Sequence, residues 1–490
     1  MLAAAGAGRR WLLLGVCLIM AAVGSSNSMA AANITSSARR CDKGPTGVET
    51  RDHWLHFRVP PGLMPDPQFD GRRARLQVHR VQPVYAHGKC PSVPTRAAVL
   101  IHGRIQPGPA AFDLHQPTPE GDKLSVQEGL ARAGIDTFAP SLLGYGRSTR
   151  FGTGLDDPGN ASLRPYLPNG TCPYPEGCDR THAPVFPLDQ QGALLLTNPL
   201  GGQRRAHSSN VRFARTDTFV RDIRQVIDDA IARAKPTDGK VTLLGWSAGG
   251  QHVARTLYAT NPVLPGGSQY IAKVNRVVFL DSFFGTPTEE TPPPTGFATF
   301  PLQVNNAAAV SGTWQMPPER EAACTGHVVP GSQQQLWSQF LQLETVGGEW
   351  GGDDPGHPTG LSRSPTFSSY GWNTTVAQQL TTPSLVIHGL EDTAAPPTNS
   401  TAIYNNLPVA NKVLVQVQCA SHALLYEGCS GPRCTPRSGA PYGGRPGEPW
   451  AGPHATLKAA LIEWIKSGTF NGAANGRFIV NESGVASASP

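Results

Sequence analysis

Short apolar runs separated by helical stretches constrain this chain more than any other feature. Ala97–Ile101, Ile135–Ala139, Val241–Leu244, Val277–Leu280, Ser384–Ile387 and Val413–Val417 are four or five residues long and rich in aliphatic side chains. Strands this uniformly apolar are buried on both faces, the condition of a parallel sheet covered by helices. Between them, Leu124–Ala133, Thr216–Ala234 and Val253–Ala259 carry helical spacing. In the longest, Val220, Ile223, Val226, Ile227 and Ile231 recur at steps of three and four. Leu457–Ile465 closes the series as an amphipathic helix. The alternation predicts an α/β fold, a mostly parallel central sheet flanked by helices. Two extended runs, His53–Val59 and Ala74–Tyr85, come before it, and Ser483–Pro490 reads as a frayed tail.

A length of 490 residues would suit about three ordinary domains, but insertions account for it better. Thr149–Arg215, Phe284–Thr382 and Gly428–Pro453 are long, rich in Pro and Gly and without continuous apolar pattern. Segments of that size in a compact domain are lids, caps or binding loops. The expected organisation is a core built from 41–148, 216–283 and 383–470, insertions at 149–215 and 284–382, and a tail at 471–490. Within the second insertion Gln333–Leu343 has the spacing of a cap helix. The net charge of +6 is small and scattered, which gives no sign of nucleic-acid binding, and no nucleic-acid partner is expected.

The first 32 residues read as a secretory signal. Arg9-Arg10 precede the uncharged run Trp11–Val23, and small residues follow through Ala32. That run is short of the roughly 20 residues that span a bilayer, although an uncleaved anchor is the alternative, and no later segment suits a span. Removing the signal takes Cys17 and leaves eight cysteines: Cys41, Cys90, Cys172, Cys178, Cys324, Cys419, Cys429 and Cys434. An even number in an exported chain points to disulfides, with about 105 possible full pairings. Close spacing suggests Cys172–Cys178 and Cys429–Cys434, with Cys41–Cys90 as a tie across the first strands. Sequons at Asn33, Asn160, Asn169, Asn373, Asn399 and Asn481 would make a glycoprotein in a eukaryotic host only.

The chemistry centres on Gly245-Trp246-Ser247-Ala248-Gly249. A GxSxG pattern is unremarkable alone in a glycine-rich chain; here a strand ends as it begins and a helix follows at once. A sharp strand–turn–helix strains the serine, requires glycine on either side and lifts the hydroxyl clear of the sheet beside a helix N-terminus. Here the chain resembles the α/β-hydrolase fold family over most of its length outside the insertions. His102-Gly103 stands where the family places its oxyanion loop. Gly144-Tyr145-Gly146-Arg147-Ser148 is similar to the family's next turn. Leu385–Asp392 looks like the strand and loop of the acid, and Cys419-Ala420-Ser421-His422 like the loop of the histidine.

The resemblance implies that Ser247 is the nucleophile, His422 the base and Asp392 the acid, in the order Ser…Asp…His. Backbone N–H groups of Ala248 and Arg104 would form the oxyanion hole. Asp281, at the end of Val277–Leu280, and Glu391 are rival acids. Trp246 and His102 are candidate pocket residues, each with a packing or loop-structuring alternative; His252 and His388 read as core or supporting histidines. A serine at the nucleophile position excludes the carboxylate mechanisms of dehalogenases and epoxide hydrolases. With no phosphate-loop, zinc-helix or dinucleotide signature, no cofactor or metal is implied. The expected function is a secreted serine hydrolase acting on a small-molecule ester, lactone or thioester. A peptidase anchoring its substrate through Glu289, Glu290, Asp353 or Asp354 is the alternative; a binding protein on a hydrolase scaffold and a C–C lyase rank lower.

Overall fold

A computed structural model describes residues 44–86, 95–119, 121, 123–156, 212–289, 302–305, 307–349 and 360–489. Ten strands form its central sheet: β1 (Gly47–Arg58), β2 (Arg73–Val84), β3 (Arg96–Ile101), β4 (Ile135–Ser141), β5 (Val241–Trp246), β6 (Val274–Leu280), β7 (Ser384–Gly389), β8 (Lys412–Val417), β9 (Gly476–Val480) and β10 (Ala486–Ser489). Their order is β1-β2-β4-β3-β5-β6-β7-β8-β9-β10. Pairing is parallel from β4 through β9, and β1, β2 and β10 add antiparallel edges.

The central parallel strands β3 and β5 are buried along both faces because both faces are covered. In β3, Val99 and Ile101 enter one core while Ala98 and Leu100 enter the other. Helices α1 (Val126–Arg132), α2 (Thr216–Ala234), α3 (Ala248–Thr256), α4 (Ser332–Leu343), α5 (Thr398–Asn406) and α6 (Pro453–Ser467) supply the cover. Phe219, Ile223, Val226 and Ile227 of α2 pack on the first core with Val253 and Ala254 of α3. Leu457, Leu461 and Trp464 of α6 pack on the second with Leu130 of α1. None of the described helices is long and apolar enough to cross a membrane.

The segment expected to be a frayed tail instead completes the sheet. β9 lies parallel to β8, from Val413 opposite Gly476 to Val417 opposite Val480, and β10 folds back on it. β10 is Ala-Ser-Ala-Ser and has no branched side chain, so propensity hides it. A tight turn makes it a strand: Asn481 Oδ1 accepts from the backbone N–H groups of Ser483 (3.0 Å) and Val485 (2.9 Å).

The described parts of the second insertion are tied to the core, Tyr370 Oη donating to Asp217 at 2.6 Å and Gln339 Nε2 to Asp113 O at 3.2 Å, and to the described ends of the first insertion. Leu302–Asn305 pairs antiparallel with Ser362–Pro365, and Phe367–Ser368 pairs parallel with Ala214–Arg215. Glu344 accepts from Arg363 Nε at 2.6 Å and pairs with Arg150 of the first insertion, while Arg363 reaches Leu155 O of the same insertion at 2.6 Å. Cys324 is bonded to Cys419, 95 residues away, a pairing that spacing could not single out. The Cys429–Cys434 pair forms as expected. Cys41–Cys90 and Cys172–Cys178 lie outside the described residues, as do the signal segment and most of the first insertion.

Candidate active site

β5 runs straight into Ser247 and α3 starts at the next residue. Ser247 takes φ 56 and ψ −124, a conformation that an L residue adopts only under strain. Glycines make the turn possible. A Cβ on Gly245 would fall 2.4 Å from Gly249 O, and one on Gly249 would fall 2.4 Å from Ile101 O. The hydroxyl that results lies 2.9 Å from His422 Nε2. On the far side of the ring, His422 Nδ1 is 2.8 Å from Asp392 Oδ2.

Asp392 sits in the loop after β7, where its other oxygen accepts from the N–H groups of Ala394 and Ala395, both at 2.8 Å. Burial works against its charge. Hydrogen bonds from His388 and His422, with their positive potential, outweigh it and bring the carboxyl down to about 2. The rival acids are occupied elsewhere. Glu391 accepts from Arg320 Nε at 2.9 Å. Asp281 accepts from Gly389 N–H at 2.8 Å, and burial first, then the charge of Asp392, hold its carboxyl well above the usual range. An acid kept neutral cannot stabilise an imidazolium.

Arg104 and Ala248 both line a cavity of about 470 Å³ that opens at Ser247. Gly103 allows the approach of the first: a Cβ there would lie 3.0 Å from Ser247 Cβ. Trp246 also lines the cavity, and its Nε1–H donates to His422 O at 3.2 Å, so it pins the histidine loop too. His102 does not line it, contrary to the pocket assignment. It is fully buried; its Nε2 accepts from Leu142 N–H at 3.0 Å and its Nδ1–H donates to Gly103 O at 2.7 Å. Burial lowers its pKa to about 4, so it shapes the loop as a neutral ring. His252 is buried between Phe219 and Phe367.

The remaining walls were not legible as a motif. Ile105, Phe283, Phe284 and Ala394 contribute apolar lining, and Gln106, Gln251, Thr286, Thr313 and Ser369 polar lining. Phe283 and Phe284 stand three and four residues after the end of β6, and binding crevices of such sheets lie at the carboxyl ends of strands. That rule could have picked them out. Asp281, His388 and Asp392 bring ligand atoms within 4.8 Å of one another, close enough for an ion. Asp392 and His388 already serve each other and His422, so the group reads as the support of that ring. The geometry can move a proton from a hydroxyl to an imidazole while a carboxylate stabilises the imidazolium.

The family profile described as alpha/beta hydrolase fold matches residues 99–428. No curated protein matches the sequence. Among solved structures, the chain is similar to a monoacylglycerol lipase of Paleococcus ferrophilus (15% identity, 77% of this chain and 96% of that one, TM-score 0.36). It is also similar to an esterase from a Rhodococcus species (15%, 75% and 92%, TM-score 0.35). A thioesterase domain from the curacin biosynthetic pathway is a third (13%, 77% and 95%, TM-score 0.37). With the profile match running from the strand before the His102-Gly103 loop to the residues just past His422, the chain belongs to the alpha/beta hydrolase family.

Proposed function

We propose that the protein is a secreted serine hydrolase that cleaves carboxylic esters, lactones or thioesters through an acyl-enzyme. The observation that carries this reading is the hydrogen-bonded line Ser247–His422–Asp392 at the base of the cavity. Ser247 attacks the acyl carbon as His422 takes its proton, and His422 returns that proton to the leaving oxygen, or to sulfur in a thioester, as the acyl bond breaks. Water then repeats the sequence to free the acid. Asp392 stays ionised and holds the ring. Backbone N–H groups of Ala248 and Arg104 receive the oxyanion. Secretion rests on Arg9-Arg10 with the uncharged run behind them, and the disulfides Cys324–Cys419 and Cys429–Cys434 suit an oxidising compartment.

An ester suits the cavity better than a peptide with a charged terminus. Among the described residues no carboxylate lines it. Glu289 is on the surface, while Glu290, Asp353 and Asp354 lie outside the described residues. The test is intact-mass labelling with a fluorophosphonate, followed by p-nitrophenyl esters and aminoacyl anilides. One adduct, absent from Ser247→Ala and His422→Ala, with turnover of esters, is expected. A folded protein that takes no adduct would reject the reading.

A further inference from the structure

We propose that Glu427, which touches neither substrate nor reacting atoms, is a positioning residue that locks the His422 loop to the Thr313 wall of the cavity through Ser421. The proposal rests on the serine hydrolase reading of the same site. Glu427 is fully buried five residues after His422. Its Oε2 accepts from Ser421 N–H at 2.8 Å and its Oε1 lies 2.6 Å from Ser421 Oγ. Ser421 Oγ also accepts from Ala423 N–H at 3.1 Å and lies 3.0 Å from Thr313 O. Thr313 lines the cavity, and Ser421 is the residue before His422.

Counting protons gives the direction of the relay. Ser421 has one hydroxyl proton for two oxygens, Glu427 Oε1 at 2.6 Å and Thr313 O at 3.0 Å, and it can serve Thr313 O only when the carboxyl brings a proton of its own. With the carboxyl protonated, Glu427 O–H donates to Ser421 Oγ and Ser421 O–H donates to Thr313 O; with it ionised, Ser421 O–H turns to Glu427 Oε1. Every group is satisfied only when Glu427 is neutral. Burial agrees: it raises the carboxyl to about 8 against the lowering effect of the Ser421 bonds, and the charges of Asp392 and Glu321 push the same way. The other ionisable groups facing it are His327, whose Nε2 is 3.9 Å from Oε1, Asp281 and Arg433. Once ionised, Glu427 takes the hydroxyl proton of Ser421 for its own hydrogen bond. Thr313 O loses its donor and the wall comes free of the loop.

The test compares wild type, Glu427→Gln and Ser421→Ala in ester turnover between about pH 7 and about pH 9.5. The wild-type KM is expected to rise about fivefold through this range, the effect of one hydrogen bond, with a smaller change in kcat. Glu427→Gln donates through its amide at every pH, so it should match wild type at neutral pH and show no alkaline rise. Ser421→Ala should begin with the raised KM and stay flat. Infrared difference spectra of wild type minus Glu427→Gln should show a protonated-carboxyl band that vanishes as pH passes about 8. A wild-type rise that persists in Glu427→Gln, or a missing band, would overturn the relay. Failure of the fluorophosphonate label while the band titrates would instead reject the hydrolase reading and keep the relay.

Discussion

Gly249→Ala tests how tightly the serine turn is built. The new methyl would stand 2.4 Å from Ile101 O and 2.7 Å from His102 O, both main-chain atoms that cannot rotate away. Side-chain carbons do not approach oxygen closer than about 3.0 Å in a packed interior, so α3 has to retreat from β3 by about 0.6 Å or more. Ser247 sits at the start of α3, and the loop carrying Arg104 leaves the end of β3. The retreat therefore widens the gap between the hydroxyl and one side of the oxyanion site. A displacement of about 1 Å costs about 100-fold in rate, so the second-order rate of phosphonate labelling and kcat/KM for a p-nitrophenyl ester should fall about 10- to 100-fold. Overpacking costs about 1–3 kcal/mol, which lowers Tm by roughly 2–10 °C. Gly348→Ala is the control: it lies in a short helix with nothing within 4 Å of the added carbon. It should leave the rate alone and raise stability by about 0.5–1 kcal/mol. Wild-type labelling and Tm in Gly249→Ala would refute the argument that this contact sets the site.

Three further outcomes follow from other contacts. Asp392→Asn faces N–H donors on both sides, His422 Nδ1 and the pair Ala394 and Ala395; its amide cannot accept from all of them, so labelling should fall about 10⁴-fold while near-ultraviolet circular dichroism stays unchanged. Replacing Cys324 and Cys419 by serine frees a 95-residue separation and should cost up to about 5 kcal/mol, against about 2 kcal/mol for Cys429 and Cys434, only 5 apart. Urea midpoints check that order. Glu427 binds its proton more tightly folded than unfolded, so it favours folding fully below about pH 4.5, and that advantage of up to about 5 kcal/mol drains away between about pH 4.5 and about 8. Glu427→Gln should therefore unfold at the wild-type temperature below about pH 4.5, and at a higher one from neutrality upward, by scanning calorimetry.

The parts of this protein that were legible in the sequence are those with local causes. Val241–Leu244 before Gly245 and Gly249 announces a strand and a turn because both follow from side-chain size and backbone freedom. Thr216–Ala234 was readable to the residue because its apolar period matches the helix. Helix α3 begins earlier than its apolar period suggested, at Ala248 rather than Val253, because Gly249, Gly250 and Gln251 pack within the core without an aliphatic signature. The nonlocal features were silent. Nothing near Cys324 marks Cys419 as its partner. Glu344, Arg150 and Arg363 look like solvated charges until the fold brings them together. His102 was misplaced as a pocket residue because a His-Gly dipeptide shows where a loop is and not which way the ring turns. Glu427 was invisible, since a buried acid leaves no periodic trace.

The C-terminal hairpin has a consequence for how the molecule is made. A chain emerging from the ribosome presents the serine turn, the acid loop and the histidine loop before β9 exists. Until residues 476–480 arrive, β8 has an open edge directly beside the strand end that leads to His422, and Gln418 N–H lacks the Val480 O it later bonds at 2.9 Å. A naked edge of this kind recruits other strands. Polypeptides stopped near residue 470 should therefore collect as aggregates carrying a full set of reacting groups. Residues 476–489 cover that edge with a hairpin and leave the short strand Ala486–Ser489 as the new edge, and short edges recruit fewer partners.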